Sequence, residues 1–148
     1  MIFVSSTITA NTLISYEKKK IKQIDSFIAL IKYIRNQIEC YSMPIDRILF
    51  SCPDELVAGI GSTAEKGSFE KLISGCDVIC GDDCRRILEE FARSLGKNYR
   101  DRQIKLCDTT VSELESVRAG LQRIYPSKKK TITALCLATG GLAVIALI

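Results

Sequence analysis

Residues 17–42 read EKKKIKQIDSFIALIKYIRNQIECYS, and this stretch decides the fold. Apolar side chains fall at Ile21, Ile24, Ile28, Ile31, Ile34, Ile38 and Tyr41, in steps of 3, 4, 3, 3, 4 and 3 residues. That spacing lines one face of an α-helix with period near 3.6. Phe27 and Leu30 widen the stripe, while Lys22, Lys32, Asn36 and Glu39 fall opposite it. A helix with so wide an apolar stripe packs into a bundle. The same rhythm returns at Ile104, Cys107, Val111, Leu114, Val117, Leu121 and Ile124, again in steps of 3, 4, 3, 3, 4 and 3. It predicts a second long helix over 98–124, with Pro126 ending it because proline has no N–H to donate. Two long helices of matching rhythm are natural antiparallel partners.

Between them the chain predicts short helices. Ser42 and Pro44 open one that runs to Phe50. Cys52-Pro53-Asp54 breaks it, and Glu55–Ile60 makes another turn or two before Gly61. Ser68 is placed to cap a helix running to Cys80, weakened at Gly75. Gly81 stops it, and Asp82 or Asp83 caps a helix over 83–95 that ends at Gly96 in the left-handed cap position. No stretch alternates with period two for long enough to make a strand. The fold class is all-α: an antiparallel helical bundle flanked by membrane helices.

The flanks are the two ends. Thr131–Ile148 contains no charged residue and three threonines, and Lys128, Lys129 and Lys130 precede it. As a helix these 18 residues extend about 27 Å, near the ~30 Å hydrocarbon thickness of a bilayer. In lipid every backbone N–H and C=O must be paired within the segment, which a helix does. This end therefore reads as a C-terminal membrane anchor. Residues 1–16 are apolar but shorter and interrupted by Ser, Thr and Asn, and Lys18, Lys19, Lys20 and Lys22 follow. They read as a second, weaker membrane segment. The division is 1–16 N-terminal apolar segment, 17–127 helical domain, and 128–148 basic flank and membrane helix. Both lysine groups lie on the inner side of an apolar end, so the positive-inside rule puts the helical domain in the cytoplasm.

Composition excludes several function classes. Histidine is absent from the 148 residues, which removes the commonest general base and metal ligand. The net charge is only +4, with the lysines gathered at the apolar ends, a distribution suited to anionic lipid headgroups rather than nucleic acid. The seven cysteines are odd in number and lack the spacing of a secreted disulfide framework, so reduced thiols facing a cytosol are expected. Cys76, Cys80 and Cys84 would share a face of one continuous helix and form the candidate site of a cysteine-dependent metal or redox protein. Zinc-binding cysteines come in closer pairs with further ligands, and packing of small thiols between helices accounts for these three as well. Asp82 and Asp83 read as helix-start carboxylates. Gly59-Ile60-Gly61-Ser62 lacks the lysine of a phosphate-binding loop. Arg100, Asp101, Arg102 and Lys105 make a mixed-charge surface. No catalytic, cofactor-binding or metal-ligating residue is assigned.

Taken with RNQIECYSMPIDRILF (Arg35–Phe50), FARSLGKNYRDRQIKLCD (Phe91–Asp108) and the lysine-flanked apolar end, the chain resembles the stage III sporulation protein AB family of endospore-forming bacteria. The resemblance implies a non-enzymatic subunit of the channel between mother cell and forespore. It implies a helical domain similar to that of the type II secretion inner-membrane platform protein. The implied partners are the stage III sporulation protein AA ATPase, other stage III channel proteins and membrane lipid. The implied location is the mother-cell or outer forespore membrane. It carries over no catalytic residue. For partner docking the exposed side of the first long helix is the candidate, at Lys32, Arg35, Asn36 and Glu39. Lys18, Lys19, Lys20, Lys128, Lys129 and Lys130 are the candidate membrane flank. Small residues at Ala134, Ala138 and Gly141 would let terminal helices of several copies approach closely, as in a homo-oligomer. The alternative function is a membrane-anchored helical adaptor unrelated to sporulation.

Overall fold

The computed structural model describes the backbone of residues 2–147 and the side chains of residues 8, 11–135, 137 and 138. Six helices follow one another: α1 (Ile2–Tyr41), α2 (Ile45–Phe50), α3 (Asp54–Ile60), α4 (Phe69–Ser74), α5 (Asp82–Ser94) and α6 (Arg100–Leu147). No strand occurs among the described residues.

The two long helices pair along their length, and the contacts give the direction. Glu17 meets Lys128, Asp25 meets Arg118, Lys32 meets Glu115 and Arg35 meets Asp108. Rising numbers on α1 meet falling numbers on α6, so the pair is antiparallel. The expected stripe of α1 is the centre of the core: Ile24, Phe27, Leu30, Ile31 and Ile34 have no exposed surface. From α6, Cys107, Val111 and Leu114 are buried against it. The short helices contribute Ile48, Leu49, Ile60, Leu72, Leu88 and Phe91. Phe69 and Phe91 meet edge to face, centroids 4.9 Å apart and planes at 79°, the geometry that ring quadrupoles favour.

Several expectations are corrected. Tyr41, read as the last residue of the α1 stripe, is 67% exposed at the end of α1. Pro126 does not end the last helix; α6 runs through it to Leu147. Proline inside a helix costs about 3 kcal/mol, but continuation keeps α6 alongside α1, with Lys128 Nζ 3.3 Å from Glu17 Oε1. The helix expected from Ser68 to Cys80 stops at Ser74. A Cβ at Gly75 would stand 2.9 Å from the backbone nitrogen of Ala64, and the close approach of that loop turns the chain away. Gly81, not an aspartate, is the residue before α5, and Asp82 and Asp83 lie in the first turn without a side-chain cap bond. They act through their charge on the helix dipole. Gly96 has φ 82°, the left-handed conformation expected of it.

Among the described residues no helix is long and apolar enough to cross a membrane. The expected membrane helix at 131–148 and the expected segment at 1–16 fall for the most part on side chains outside the described ones.

Candidate functional site

The α1–α6 seam is closed by charged groups that the linear sequence does not pair. Asp25 accepts from Arg118 at 2.6 Å, and Arg35 donates to Asp108 and to Glu39, each at 2.5 Å. Both guanidinium pKa values are raised, Arg35 chiefly by its hydrogen bond to Asp108 and Arg118 by its bond to Asp25. These pairs are surface-exposed in part, so they set register more than they add stability. Arg100 reaches across from the start of α6 and donates to the carbonyls of Ile38 and Glu39. It thereby adds donors at the carbonyl end of α1, where the Ser42 N–H also bonds the Ile38 carbonyl.

The four candidate docking residues stand on this seam rather than away from it. Lys32, Asn36 and Glu39 are exposed and Arg35 is half-buried. Lys32 lies 3.5 Å from Glu115, and Arg35 bridges Glu39 and Asp108. The face is thus accessible, and three of its four residues already hold ion pairs.

Beyond it the pair ends in a tip about 36 Å from Glu17, counting 1.5 Å per residue along α1. There Ile38, Met43, Pro44, Ile45, Gly96 and Arg100 line a groove of about 340 Å³. Tyr41 and Tyr99 stand exposed beside it in sequence, at 67% and 88%. The mixed-charge residues Arg100, Asp101, Arg102 and Lys105 begin α6 at this tip.

At the opposite end Glu17 Oε1 accepts from both Lys20 and Lys128 at 3.3 Å. The two lysine groups, some 110 residues apart in sequence, therefore sit at one level. Lys18, Lys19, Lys22, Lys128, Lys129 and Lys130 are exposed around that level.

The cysteines are distributed otherwise than expected. Cys76 and Cys80 lie in the connection between α4 and α5, not on one helix with Cys84. Cys80 and Cys84 are joined by a disulfide, Cα atoms 5.9 Å apart, which corrects the expectation of reduced thiols at these two positions. The turn at Gly81, φ 106°, brings them within disulfide range. Cys40, Cys52, Cys76 and Cys107 are free. Burial raises the pKa of Cys52 and Cys76 and pushes Cys107 up to about 12, so their thiolates are scarce at neutral pH. Among the described residues no group of three or more cysteines and carboxylates is arranged to hold a metal ion.

Sequence reasoning missed Gln23, which is buried on the α1 stripe. Its amide donates to the carbonyls of Asp77, 2.7 Å, and Ile60, 3.3 Å, and accepts from the N–H of Ile79, 2.9 Å. One polar residue inside an apolar rhythm was the available signal. Gln103 plays a similar part at the tip, accepting from Gly96 N and donating to the Asn98 carbonyl.

Comparison with known proteins finds a sporulation family. The family described as stage III sporulation protein AB matches residues 74–148, which covers the disulfide connection, α5 and α6. The Arg35–Phe50 segment lies outside the matched range. No curated protein and no solved structure matches the chain.

Proposed function

This chain belongs to the stage III sporulation protein AB family, and on that premise we propose that it is a membrane platform subunit of the channel between mother cell and forespore. A role in stage III sporulation follows from the family itself. Beyond that, we propose that the two apolar ends anchor the chain and that the helical domain, residues 17–127, faces the cytoplasm. The domain works mechanically, with no chemistry of its own. It contacts the stage III sporulation protein AA ATPase and other stage III proteins and passes that contact to the membrane.

The observation that carries this reading is the antiparallel α1–α6 pair. It puts both apolar ends on one side, with lysines at their base, and projects a groove-bearing tip about 36 Å away. Such a rigid strut suits transmission of a contact to a membrane. The exposed seam at Lys32, Arg35, Asn36 and Glu39 is the proposed docking face.

A clean deletion in the source organism is expected to abolish heat-resistant spores and arrest development after engulfment, with a forespore that fails to grow. Normal spore yield would refute the channel role. Alanine at Asn36, with Lys32 or Glu39, is expected to lose co-purification of the ATPase while the circular dichroism melt is unchanged. Undiminished co-purification would refute the docking face.

A further inference from the structure

We propose that the lysine collar at the base of the α1–α6 pair is a binding site for the headgroups of anionic phospholipids. The inference rests on the membrane-anchored reading above. Seven lysines meet at this level: Lys18, Lys19, Lys20 and Lys22 from α1 with Lys128, Lys129 and Lys130 from α6. Glu17 is the carboxylate that ties them, taking Lys20 and Lys128 on one oxygen at 3.3 Å each. Seven ammonium groups less one carboxylate leave +6. The next carboxylate along α1, Asp25, is two turns away and bound by Arg118 at 2.6 Å.

The geometry suits lipid rather than a small anion. Successive residues of a helix point about 100° apart, so consecutive lysines surround each helix instead of closing one pocket. Six of the seven are exposed. A collar of this kind meets many headgroups in a plane. A tyrosine stands at the same level: Tyr16, beside Glu17, is exposed and its ring lies 5.0 Å from Lys20 Nζ. Tyrosine at the headgroup level is a mark of the membrane–water interface. Zwitterionic lipid offers the same phosphate but cancels its charge. A basic cluster beside a membrane helix gains about 1 kcal/mol per lysine from anionic lipid, about five-fold.

The test uses the full chain reconstituted in bilayers. Retention in phosphatidylcholine vesicles through an alkaline carbonate wash checks the anchor. Spin-labelled phosphatidylglycerol and phosphatidylcholine then report which lipid lies against the protein. The expected result is a phosphatidylglycerol preference of about five-fold in low salt, lost in 0.5 M salt. Lys128→Gln/Lys129→Gln/Lys130→Gln is expected to reduce it, whereas Lys97→Gln/Lys105→Gln, at the far end of the pair, leaves it unchanged. Extraction by carbonate would overturn the anchored reading, and the collar with it. Retention without lipid preference, or a preference that the triple change leaves intact, would overturn the collar alone. Loss of the preference in inorganic phosphate at constant ionic strength would show a free-anion site and would also overturn it.

Discussion

Gln23 is the most direct test of how the domain is assembled. Its side chain is 9% exposed and reaches from α1 into the connection around Asp77 and Ile79. Gln23→Ala removes three hydrogen bonds at once. The Asp77 carbonyl is near the surface and regains water, whereas the Ile79 N–H and the buried Ile60 carbonyl lose their partner. A buried unpaired group costs ~1–3 kcal/mol, so the expected loss is about 2–3 kcal/mol in total. Chemical unfolding of the full chain in mild detergent measures that loss. Hydrogen exchange at the Ile79 amide locates it, with protection there falling more than at the core of α1. A loss below about 0.5 kcal/mol, the scatter of neutral surface changes, with unaltered Ile79 protection would refute the reasoning. Gln23→Glu sharpens the test. A carboxylate still accepts from Ile79 N–H but opposes two carbonyls, so its folded pKa should rise above the unfolded value near ~4.3. Its relative stability is then highest below that value and declines as pH rises through the folded pKa.

Three further outcomes follow from the packing and charge. Phe91→Ala removes a ring that is 1% exposed and stacked edge to face on Phe69; a loss of about 3–5 kcal/mol is expected by chemical unfolding, and Phe69→Leu should cost less. The Asp54 carboxyl is held below the usual carboxylate range by its hydrogen bond to Lys66, so the stability it contributes is present above the unfolded pKa near ~3.9 and is lost as pH falls through the folded value. A carbon-detected titration of Asp54 checks this, and Lys66→Met should return the pKa to the ordinary range. Gly75→Val would drive a side chain into Ala64 and is expected to lower the melting temperature by several degrees, whereas Gly120→Ala, which meets open space inside α6, is expected to raise it, because alanine is the better helix former.

Local rules carried much of the fold. The 3.6-residue rhythm of α1 named Ile24, Ile28, Ile31, Ile34 and Ile38, all buried, because burial of one helical face is written in spacing. Gly96 was legible because only a residue free of Cβ crowding takes φ 82° at little cost. Pro126 was misread, since the local penalty was judged without the α1 contacts that keep the following turn in place. The Ser68–Cys80 helix was misread for the opposite reason: its propensity was adequate, but Ala64 stands against Gly75, and nothing local announces a neighbour eleven residues away. The disulfide was likewise hidden, since a spacing of four on a helix and four across a turn look the same in sequence.

The candidate site divides in the same way. The lysine groups, the exposed side of α1 and the absence of histidine were plain in the residues. That Lys32 and Arg35 would be engaged by Glu115 and Asp108 was not, because those partners arrive from the far end of the chain. The sequence by itself determined that this protein is helical, that two long helices share one apolar rhythm, and that positive charge gathers at its apolar ends; these are properties of spacing and composition, set within a few turns of chain. Tertiary structure alone decided which charges meet, that the two lysine groups form one collar around Glu17, and that Gln23 is a clamp rather than a surface amide. Those depend on antiparallel register, which is a property of two helices packed together and of neither one alone.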